Sequence, residues 1–327
     1  MDGPVIETER CTQAISLRIS VTDRCQLRCV YCMPPEGIPW VSRESMLSYE
    51  QIARFVAVAR KRFGLSKVHL TGGEPLLRPN VADLVAMLRT SGVSDLVLTT
   101  NAQKLAAMAV PLRQAGLDRI NVSLDTLDPD LYGTLTRGAD LTRVLEGIDA
   151  AFAAGFPTVK INTLVLRGCN DGEVVSLAQW ACDRGCQIRF LELMPIGPVA
   201  ARQSELFVPV SEVRKSLESA FHLVPVCEHG GTGLLYQATG RDGRRGVAGF
   251  IASQSRPFCS GCRRLRLRSN GQLLGCLAVG AGPDISHLLD PIGGREDRLA
   301  EVIAGTLSLK RTTRHFHTVN LMSQTGG

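Results

Sequence analysis

The chain has 327 residues, of which 44% are hydrophobic and 21% are charged, and its formal net charge is +6. This composition excludes a disordered or collagen-like chain, and the length predicts about two domains. No apolar run reaches the roughly 18 residues of a membrane span, and no basic, aromatic-rich patch indicates binding to a nucleic acid polymer.

The first two thirds of the chain alternate between strand-like and helix-like segments. Apolar runs predict six strands, at residues 16–21, 67–70, 95–99, 119–124, 158–166 and 187–193. The helices between them are predicted from capping residues such as Ser48 and Asn80 and from the glycines that follow each apolar stripe. Six consecutive βα units predict a parallel sheet with right-handed crossovers, but periodicity does not distinguish a doubly wound sheet from a barrel.

After residue 195 the pattern changes to short apolar runs separated by turn dipeptides. Three dipeptides predict hairpins: Gly230-Gly231, Asp242-Gly243 and Asn270-Gly271. Helices are predicted near residues 211–221 and 295–309. We therefore predict an α/β domain over residues 1–222 and a smaller, β-rich α+β domain over residues 223–327.

Eleven cysteines without a recognisable export signal favour a reducing compartment, the cytoplasm, over a disulfide scaffold. Six of them form two groups of three: Cys25, Cys29 and Cys32 (C-x3-C-x2-C), and Cys259, Cys262 and Cys276 (C-x2-C-x13-C). Three thiolates leave one iron of a [4Fe–4S] cluster open to a small molecule. Zinc sites or unrelated thiols are the alternatives, although structural zinc needs a fourth ligand that neither group has nearby. The other five are expected to be ordinary thiols: Cys11, Cys169, Cys182, Cys186 and Cys227.

Two further motifs accompany the cysteine groups. Gly72-Gly73-Glu74-Pro75 follows the second predicted strand; its glycines allow a ligand close to the backbone, and Glu74 can accept a hydrogen bond from an ammonium group. On a strand, Arg264, Arg266 and Arg268 share one face. Such a row suits a polyphosphate or a carboxylate, although a solvated basic strand face would show the same pattern.

The C-x3-C-x-Tyr-Cys and Gly-Gly-Glu-Pro motifs together resemble the radical S-adenosylmethionine (SAM) superfamily. With the second cysteine group and the terminal Gly326-Gly327, nearly the whole chain resembles the GTP 3′,8-cyclase family of molybdenum cofactor biosynthesis. The resemblance implies a partial (β/α)6 TIM-like barrel for the first domain. It also implies two [4Fe–4S] clusters, SAM, an external electron donor and a homodimer.

The same resemblance implies roles for individual residues. Cys25, Cys29 and Cys32 match the ligands of the SAM cluster, and Cys259, Cys262 and Cys276 those of a second cluster that binds the guanine of GTP. The positions that match SAM contacts are Tyr31, Gly73, Glu74, Ser123 and Met194. The positions that match GTP contacts are Arg18, Thr100, Lys160, Arg264, Leu265 and Arg266, with Gly326 and Gly327 as a tail that enters the active site. Arg264 and Arg266 are the residues expected to act in catalysis.

The implied reaction begins when an electron from the first cluster cleaves SAM to a 5′-deoxyadenosyl radical. That radical removes hydrogen from C3′ of GTP, and the C3′ radical attacks C8 of the guanine. The radical that results is then reduced by one electron and protonated. The product is (8S)-3′,8-cyclo-7,8-dihydroguanosine 5′-triphosphate. Two alternatives are a radical SAM peptide-modifying enzyme with an auxiliary cluster and a non-enzymatic iron–sulfur or zinc module.

One position departs from the family pattern. The family usually has arginine, aimed at GTP, where this chain has His69. Histidine is shorter and mostly uncharged near pH 7. We therefore expect one triphosphate contact to be weaker or to come from another residue.

Overall fold

The computed structural model describes residues 14–226, 233–290 and 295–312, and within these ranges eleven strands form one mixed sheet. The strands are β1 (Ser16–Ser20), β2 (Lys67–Thr71), β3 (Asp95–Thr100), β4 (Arg119–Ser123), β5 (Val159–Leu164), β6 (Gln187–Leu191), β7 (Phe221–Val226), β8 (Leu234–Gly240), β9 (Arg245–Ile251), β10 (Arg264–Leu267) and β11 (Leu273–Leu274). The first six lie where the sequence predicts them, which confirms the six βα units.

The strand order is β11-β10-β1-β2-β3-β4-β5-β6-β9-β8-β7, and its two ends do not pair. Neighbours from β1 to β6 run parallel, as do β10 beside β1 and β9 beside β6. The outer strands β11, β8 and β7 pair antiparallel with their neighbours. An open, largely parallel sheet built from βα units is a partial barrel, as expected.

Nine α-helices lie within the described ranges. They are α1 (Tyr49–Phe63), α2 (Val81–Thr90), α3 (Leu105–Gln114), α4 (Pro129–Thr136), α5 (Leu141–Ala153), α6 (Val174–Asp183), α7 (Gln203–Leu206), α8 (Val210–Glu218) and α9 (Glu296–Ser308). The predicted capping box of Ser48 and Gln51 starts α1. Asn80 occupies the N-cap position of α2, as predicted, but it has a left-handed φ of 57° and its side chain makes no capping hydrogen bond.

Apolar side chains of the strands pack against the helices, whereas polar side chains face the interior of the barrel. On β1, Leu17 and Ile19 are fully buried in the hydrophobic core. On β6, Ile188 and Phe190 are buried in the same core. Because side chains alternate along a strand, the residues between them point to the opposite face. That inner face carries the charged residues described below.

The chain after residue 220 completes the same sheet. Asp242-Gly243 joins β8 to β9 and Asn270-Gly271 lies between β10 and β11, as predicted, while Gly230-Gly231 lies outside the described residues. The helices α8 and α9 confirm those predicted near 211–221 and 295–309. The division into domains after residue 222 stays a prediction. In the described part of the chain, none of the helices has the length and apolar character that crossing a bilayer requires.

Candidate active site

The first cysteine group lies in the loop that follows β1. The backbone N–H of Leu27 and the side-chain amide of Asn101 donate to Sγ of Cys25 over 3.4 and 3.7 Å. Burial raises the pKa of Cys25 to about 11, and burial followed by the charge of Cys32 raises the pKa of Cys29. Ionised thiols in this loop therefore need nearby positive charge, which the iron ions of a cluster supply.

The second cysteine group surrounds the hairpin of β10 and β11. Cys262 precedes β10 and Cys276 follows β11, and the antiparallel pairing of the two strands brings these ends together. Nζ of Lys310 donates to Sγ of Cys262 over 3.3 Å, and the backbone N–H of Ala278 donates to Sγ of Cys276 over 3.4 Å. Burial opposes ionisation of Cys262, but the charge and hydrogen bond of Lys310 and the backbone N–H and charge of Arg264 together outweigh it and lower the pKa of this thiol.

The donor atoms of both groups suit iron–sulfur clusters. A single tetrahedral zinc ion holds its sulfur ligands roughly 3.8 Å apart. Among the described residues, no three or more His, Cys, Asp and Glu side chains gather into such a single-ion site. A [4Fe–4S] cluster binds each thiolate through a different iron, so its ligands lie further apart. The two sets of three thiols therefore fit two such clusters.

The two cysteine groups lie at opposite ends of the barrel interior. Ser16, at the start of β1, pairs with Arg264, which follows Cys262 closely. The first cysteine group instead follows the other end of β1, at Ser20. A five-residue strand is roughly 16 Å long, so a ligand bound at one cysteine group can reach a ligand bound at the other.

The glycine pair after β2 packs directly against the start of the cysteine loop. The backbone N–H of Gly73 donates to the carbonyl oxygen of Thr22 over 2.8 Å. A Cβ atom on Gly73 would lie 2.4 Å from the carbonyl oxygen of Arg24 and 2.5 Å from that of Asp23. Gly72, with a φ of 153°, is similarly confined. Only glycine allows these two loops to approach so closely.

Glu74 is a buried carboxylic acid at the C-terminal edge of the sheet. One carboxyl oxygen accepts from the backbone N–H of Leu76 at 3.0 Å and the hydroxyl of Thr100 at 2.7 Å. The other accepts from the backbone N–H of Asn101 at 2.7 Å. Burial outweighs these hydrogen bonds and raises the pKa of Glu74 to about 7. A cationic ligand beside it would stabilise the ionised form.

The remaining residues predicted to contact SAM also lie at this edge. The hydroxyl of Tyr31 donates to the carboxylate of Asp125 over 2.5 Å, and the backbone N–H of Leu164 donates to the same carboxylate over 2.8 Å. Burial raises the pKa of Asp125 to about 6. Ser123 ends β4 and Met194 follows β6, and both are half-buried. The structure thus brings these side chains to the end of the barrel that carries the first cysteine group.

A cluster of cations occupies the inner face of the barrel. Arg18 of β1 pairs with Arg266 of β10, so the two side chains lie side by side. Burial lowers the pKa of Arg18, and the charges of Arg266, Arg264 and Arg189 lower it further. Burial and then Arg264 lower the pKa of Arg266 to about 9. Lys160, on β5, is half-buried. Like charges held this close inside a protein favour binding of an anion.

Two residues predicted to contact GTP do not place their side chains among the interior cations. Thr100 donates its hydroxyl to Glu74, so it lies beside the residues predicted to bind SAM. The side chain of Leu265 is fully buried in the hydrophobic core, which leaves only its backbone for a ligand. Gly326 and Gly327 lie outside the described residues.

The structure adds two cations that sequence reasoning missed. Arg189 lies among the interior cations, and a lone charge between Ile188 and Phe190 on a predicted strand is a pattern that could have found it. Lys310 follows α9 and reaches Cys262 only through the tertiary fold, so no local pattern points to it.

Three of the other cysteines lie within the described residues, and their expected role as ordinary thiols stays a prediction. Cys186 is buried, Cys182 is half-buried and Cys169 is exposed. Cys182 lies in the last turn of α6, whereas Cys186 lies beyond the end of that helix, directly before β6. Cys11 and Cys227 lie outside the described residues.

Comparison with known proteins agrees with this site. Residues 19–181 match the Radical SAM superfamily, and residues 186–316 match Molybdenum Cofactor Synthesis C. The chain is 42% identical to the GTP 3′,8-cyclase of Moorella thermoacetica, over 95% of this chain and 97% of that protein. It is 38% identical to the GTP 3′,8-cyclase of Marinobacter nauticus, over 98% of both chains.

Among solved structures, Streptococcus suis SuiB bound to S-adenosylmethionine is similar with a TM-score of 0.56. The identity is 16%, and the match covers 84% of this chain but only 64% of SuiB, so this likeness concerns the fold alone. The identity to the cyclases is more than twice as high and extends over nearly the full length of both chains. The fold, the two cysteine groups and the interior cations agree with this relationship. The chain belongs to the GTP 3′,8-cyclase family of radical SAM enzymes.

Proposed function

We propose that this chain is a GTP 3′,8-cyclase that uses SAM and two [4Fe–4S] clusters to convert GTP to (8S)-3′,8-cyclo-7,8-dihydroguanosine 5′-triphosphate. This is the first step of molybdenum cofactor biosynthesis. One observation carries the proposal: a cluster of buried cations lies between two three-cysteine groups at opposite ends of one barrel interior. The cyclases that are 38% and 42% identical over almost their whole length support the same activity.

The reaction requires the removal of hydrogen from an unactivated C–H bond of a ribose, which no side-chain base achieves by proton transfer. When bound, the first cluster and SAM supply the radical chemistry for this step. The residues of the chain bind two ligands, fix their relative orientation and keep water out of the barrel interior.

At the first end of the barrel, Cys25, Cys29 and Cys32 would hold the SAM cluster. Glu74 would accept a hydrogen bond from the ammonium group of SAM. Gly73, which packs against the start of the cysteine loop, would contact SAM through its backbone. The other proposed contacts with SAM are Tyr31, whose hydroxyl is fixed by Asp125, together with Ser123 and Met194.

At the other end, Cys259, Cys262 and Cys276 would hold the second cluster, whose open iron takes the guanine of GTP. Arg18, Lys160, Arg264 and Arg266 would bind the triphosphate, with Arg264 and Arg266 acting in catalysis. The backbone of Leu265 completes this stretch. Thr100 and the terminal Gly326-Gly327 remain proposed contacts with GTP on the strength of the resemblance.

Anaerobic reconstitution followed by incubation with GTP, SAM and a reductant tests the proposal. We expect mass spectrometry to detect the cyclic nucleotide. Cys25→Ala should abolish SAM cleavage, because the first cluster would lose a ligand. Cys259→Ala should keep the first cluster and lose cyclisation. Normal cyclisation by the Cys259→Ala variant would contradict the assignment of the second site.

Three further expectations accompany this function. The enzyme works as a homodimer, as is usual in the family. It takes its electrons from an external donor protein or small reductant. It resides in the cytoplasm, where a reducing environment keeps the six ligand thiols available for iron.

A further inference from the structure

A histidine in the middle of β2 faces the same barrel interior as Arg18. In the parallel pairing of β1 with β2, His69 lies directly beside Arg18. Nδ1 of His69 lies 3.4 Å from Nη2 of Arg18. Nε2 of His69 lies 2.6 Å from Oγ1 of Thr99 and 3.1 Å from Nδ2 of Asn121. The imidazole therefore connects Arg18 to polar side chains of β3 and β4.

The chemistry of these partners determines where the imidazole carries its hydrogen. A guanidinium group has donors only, so the contact with Arg18 requires Nδ1 of His69 to accept and Nε2 to carry the hydrogen. In that tautomer the contact between Nε2 and Nδ2 of Asn121 is not a hydrogen bond, because both groups are donors. Nε2 then donates to Thr99, whose hydroxyl oxygen lies 3.3 Å from Nδ2 of Asn121 and accepts from it as well. The ring is thereby oriented from both sides, in the tautomer that presents an acceptor to Arg18.

The surroundings also keep this imidazole neutral. Burial, followed by the charges of Arg18, Arg189, Arg264 and Lys67, lowers the pKa of His69 well below 6.5. A neutral ring adds no charge with which to attract an anion. It can still hold Arg18 without cancelling its positive charge, whereas a carboxylate in the same place would neutralise it.

We infer that His69 is a positioning residue that acts on the anionic substrate through Arg18, whose guanidinium it orients, and does not contact the substrate itself. The inference rests on the proposed function, because it takes the triphosphate of GTP as the anion. It also answers the question raised by the sequence: His69 supports a neighbouring cation in place of supplying a charge of its own.

A double-mutant cycle tests this inference. The four proteins are the wild type, His69→Leu, Arg18→Leu and the double variant, each reconstituted anaerobically. GTP affinity is measured by equilibrium dialysis without SAM, and KM and kcat are measured separately. We expect His69→Leu to weaken GTP binding about tenfold, in line with the loss of one hydrogen bond to a charged group, and to raise KM much more than it lowers kcat. In the Arg18→Leu background, the same substitution should change GTP affinity less than twofold.

Two more variants serve as controls. His222→Leu makes the same exchange at an exposed position of β7 and should leave GTP affinity unchanged. His69→Asn keeps an oxygen near the position of Nδ1, so it should bind GTP more tightly than His69→Leu. Because asparagine preserves polarity at a buried site, this variant also serves if the leucine variant does not fold.

The possible outcomes separate the inference from the proposed function. If the effects of His69→Leu and Arg18→Leu on affinity multiply, His69 contacts the substrate independently and the inference is wrong. It is equally wrong if both substitutions at His69 leave GTP affinity unchanged. A wild-type protein that does not bind GTP would reject the proposed function, and the inference with it.

Discussion

Burial sets the behaviour of single ionisable residues at both ends of the barrel. Glu74 and Asp125 lie at the C-terminal edge of the sheet, and burial raises the pKa of each. Arg18 and Arg266 lie inside the barrel, where burial and mutual repulsion lower their pKa values. For each of these groups, the shifted pKa means that the folded protein disfavours the charged form of the side chain. A bound ligand of opposite charge would stabilise that form. Their arrangement favours a cation at one end and an anion at the other.

The carboxyl of Glu74 makes the stability of the protein without SAM depend on pH. Its pKa of about 7 in the folded state exceeds its ordinary value of 4.5, so the folded protein retains the proton at a pH where the unfolded chain has lost it. The contribution of the protonated acid is complete below pH 4.5 and is lost as the pH rises through 7. We expect the free energy of unfolding to fall by roughly 2–3 kcal/mol across this window because of Glu74.

Urea denaturation of the protein without SAM at several pH values between 5 and 8 measures this effect. The Glu74→Gln variant should lack this part of the pH dependence, because glutamine does not ionise. Glu205→Gln is the matched control: Glu205 is largely exposed, and its variant should retain the wild-type slope. Equal slopes for the wild type and Glu74→Gln would contradict the prediction.

The positions of single candidate-site residues were predictable from the sequence where they depend on short spacing. The first cysteine triplet and Gly72–Glu74 are short motifs that lie at one end of the barrel, whereas Cys276 joins Cys262 only through the pairing of β10 with β11. The neutral, accepting role of His69 was not predictable, because it depends on Arg18, Thr99 and Asn121 from three other strands.

Strands and helices are connected at their ends by buried side chains, and Glu192 is an example. It follows β6 and is 3% exposed. Its carboxylate accepts from the backbone N–H groups of Val210 at 2.9 Å, Gln254 at 2.8 Å and Ser255 at 2.9 Å. It thus joins the end of β6 to the start of α8 and to the turn after β9.

Glu192→Ala should destabilise the protein strongly, since it leaves three backbone donors without their acceptor. We expect the free energy of unfolding in urea to fall by roughly 2–4 kcal/mol. Glu205→Ala removes an exposed glutamate that pairs with Arg202 and should cost less than about 1 kcal/mol. Equal destabilisation of the two variants would show that the buried carboxylate of Glu192 contributes no more to stability than an exposed one.

Whole elements were predicted best where local patterns decide them. The first six strands follow apolar runs, and α1 follows its capping box at Ser48. Two features depend on contacts distant in sequence and were not foreseen: the parallel pairing of β10 with β1, and that of β9 with β6. The helix α4 was also missed, although Asp128 caps it by accepting from Asp130 and Leu131.

The complete molecule depends on one sheet that both halves of the chain share. β10 covers the edge of β1, and β9 covers the edge of β6. A fragment of residues 1–222 would expose both strand edges together with the apolar side chains beside them. Exposed strand edges promote aggregation.

Expression of residues 1–222 alone should therefore give aggregated protein. Co-expression with residues 223–327 should return a larger share to the soluble fraction, because the second piece supplies β9 and β10. Size-exclusion chromatography of the soluble fractions measures both outcomes. A monomeric, cooperatively melting 1–222 fragment would instead establish the predicted domain boundary as that of an independently folding unit.

The neighbouring positions of β1 and β10 have a consequence for synthesis on the ribosome. β1 begins at residue 16 and β10 at residue 264, so the first strand is made long before its partner. At translation rates of about 5–20 residues per second, the interval is roughly 12–50 s. Throughout that interval the nascent chain has an unsatisfied strand edge and only one of its two cysteine triplets. A chaperone that protects the strand edge must therefore act during this interval, whereas iron can reach the second triplet only after the last third of the polypeptide has emerged.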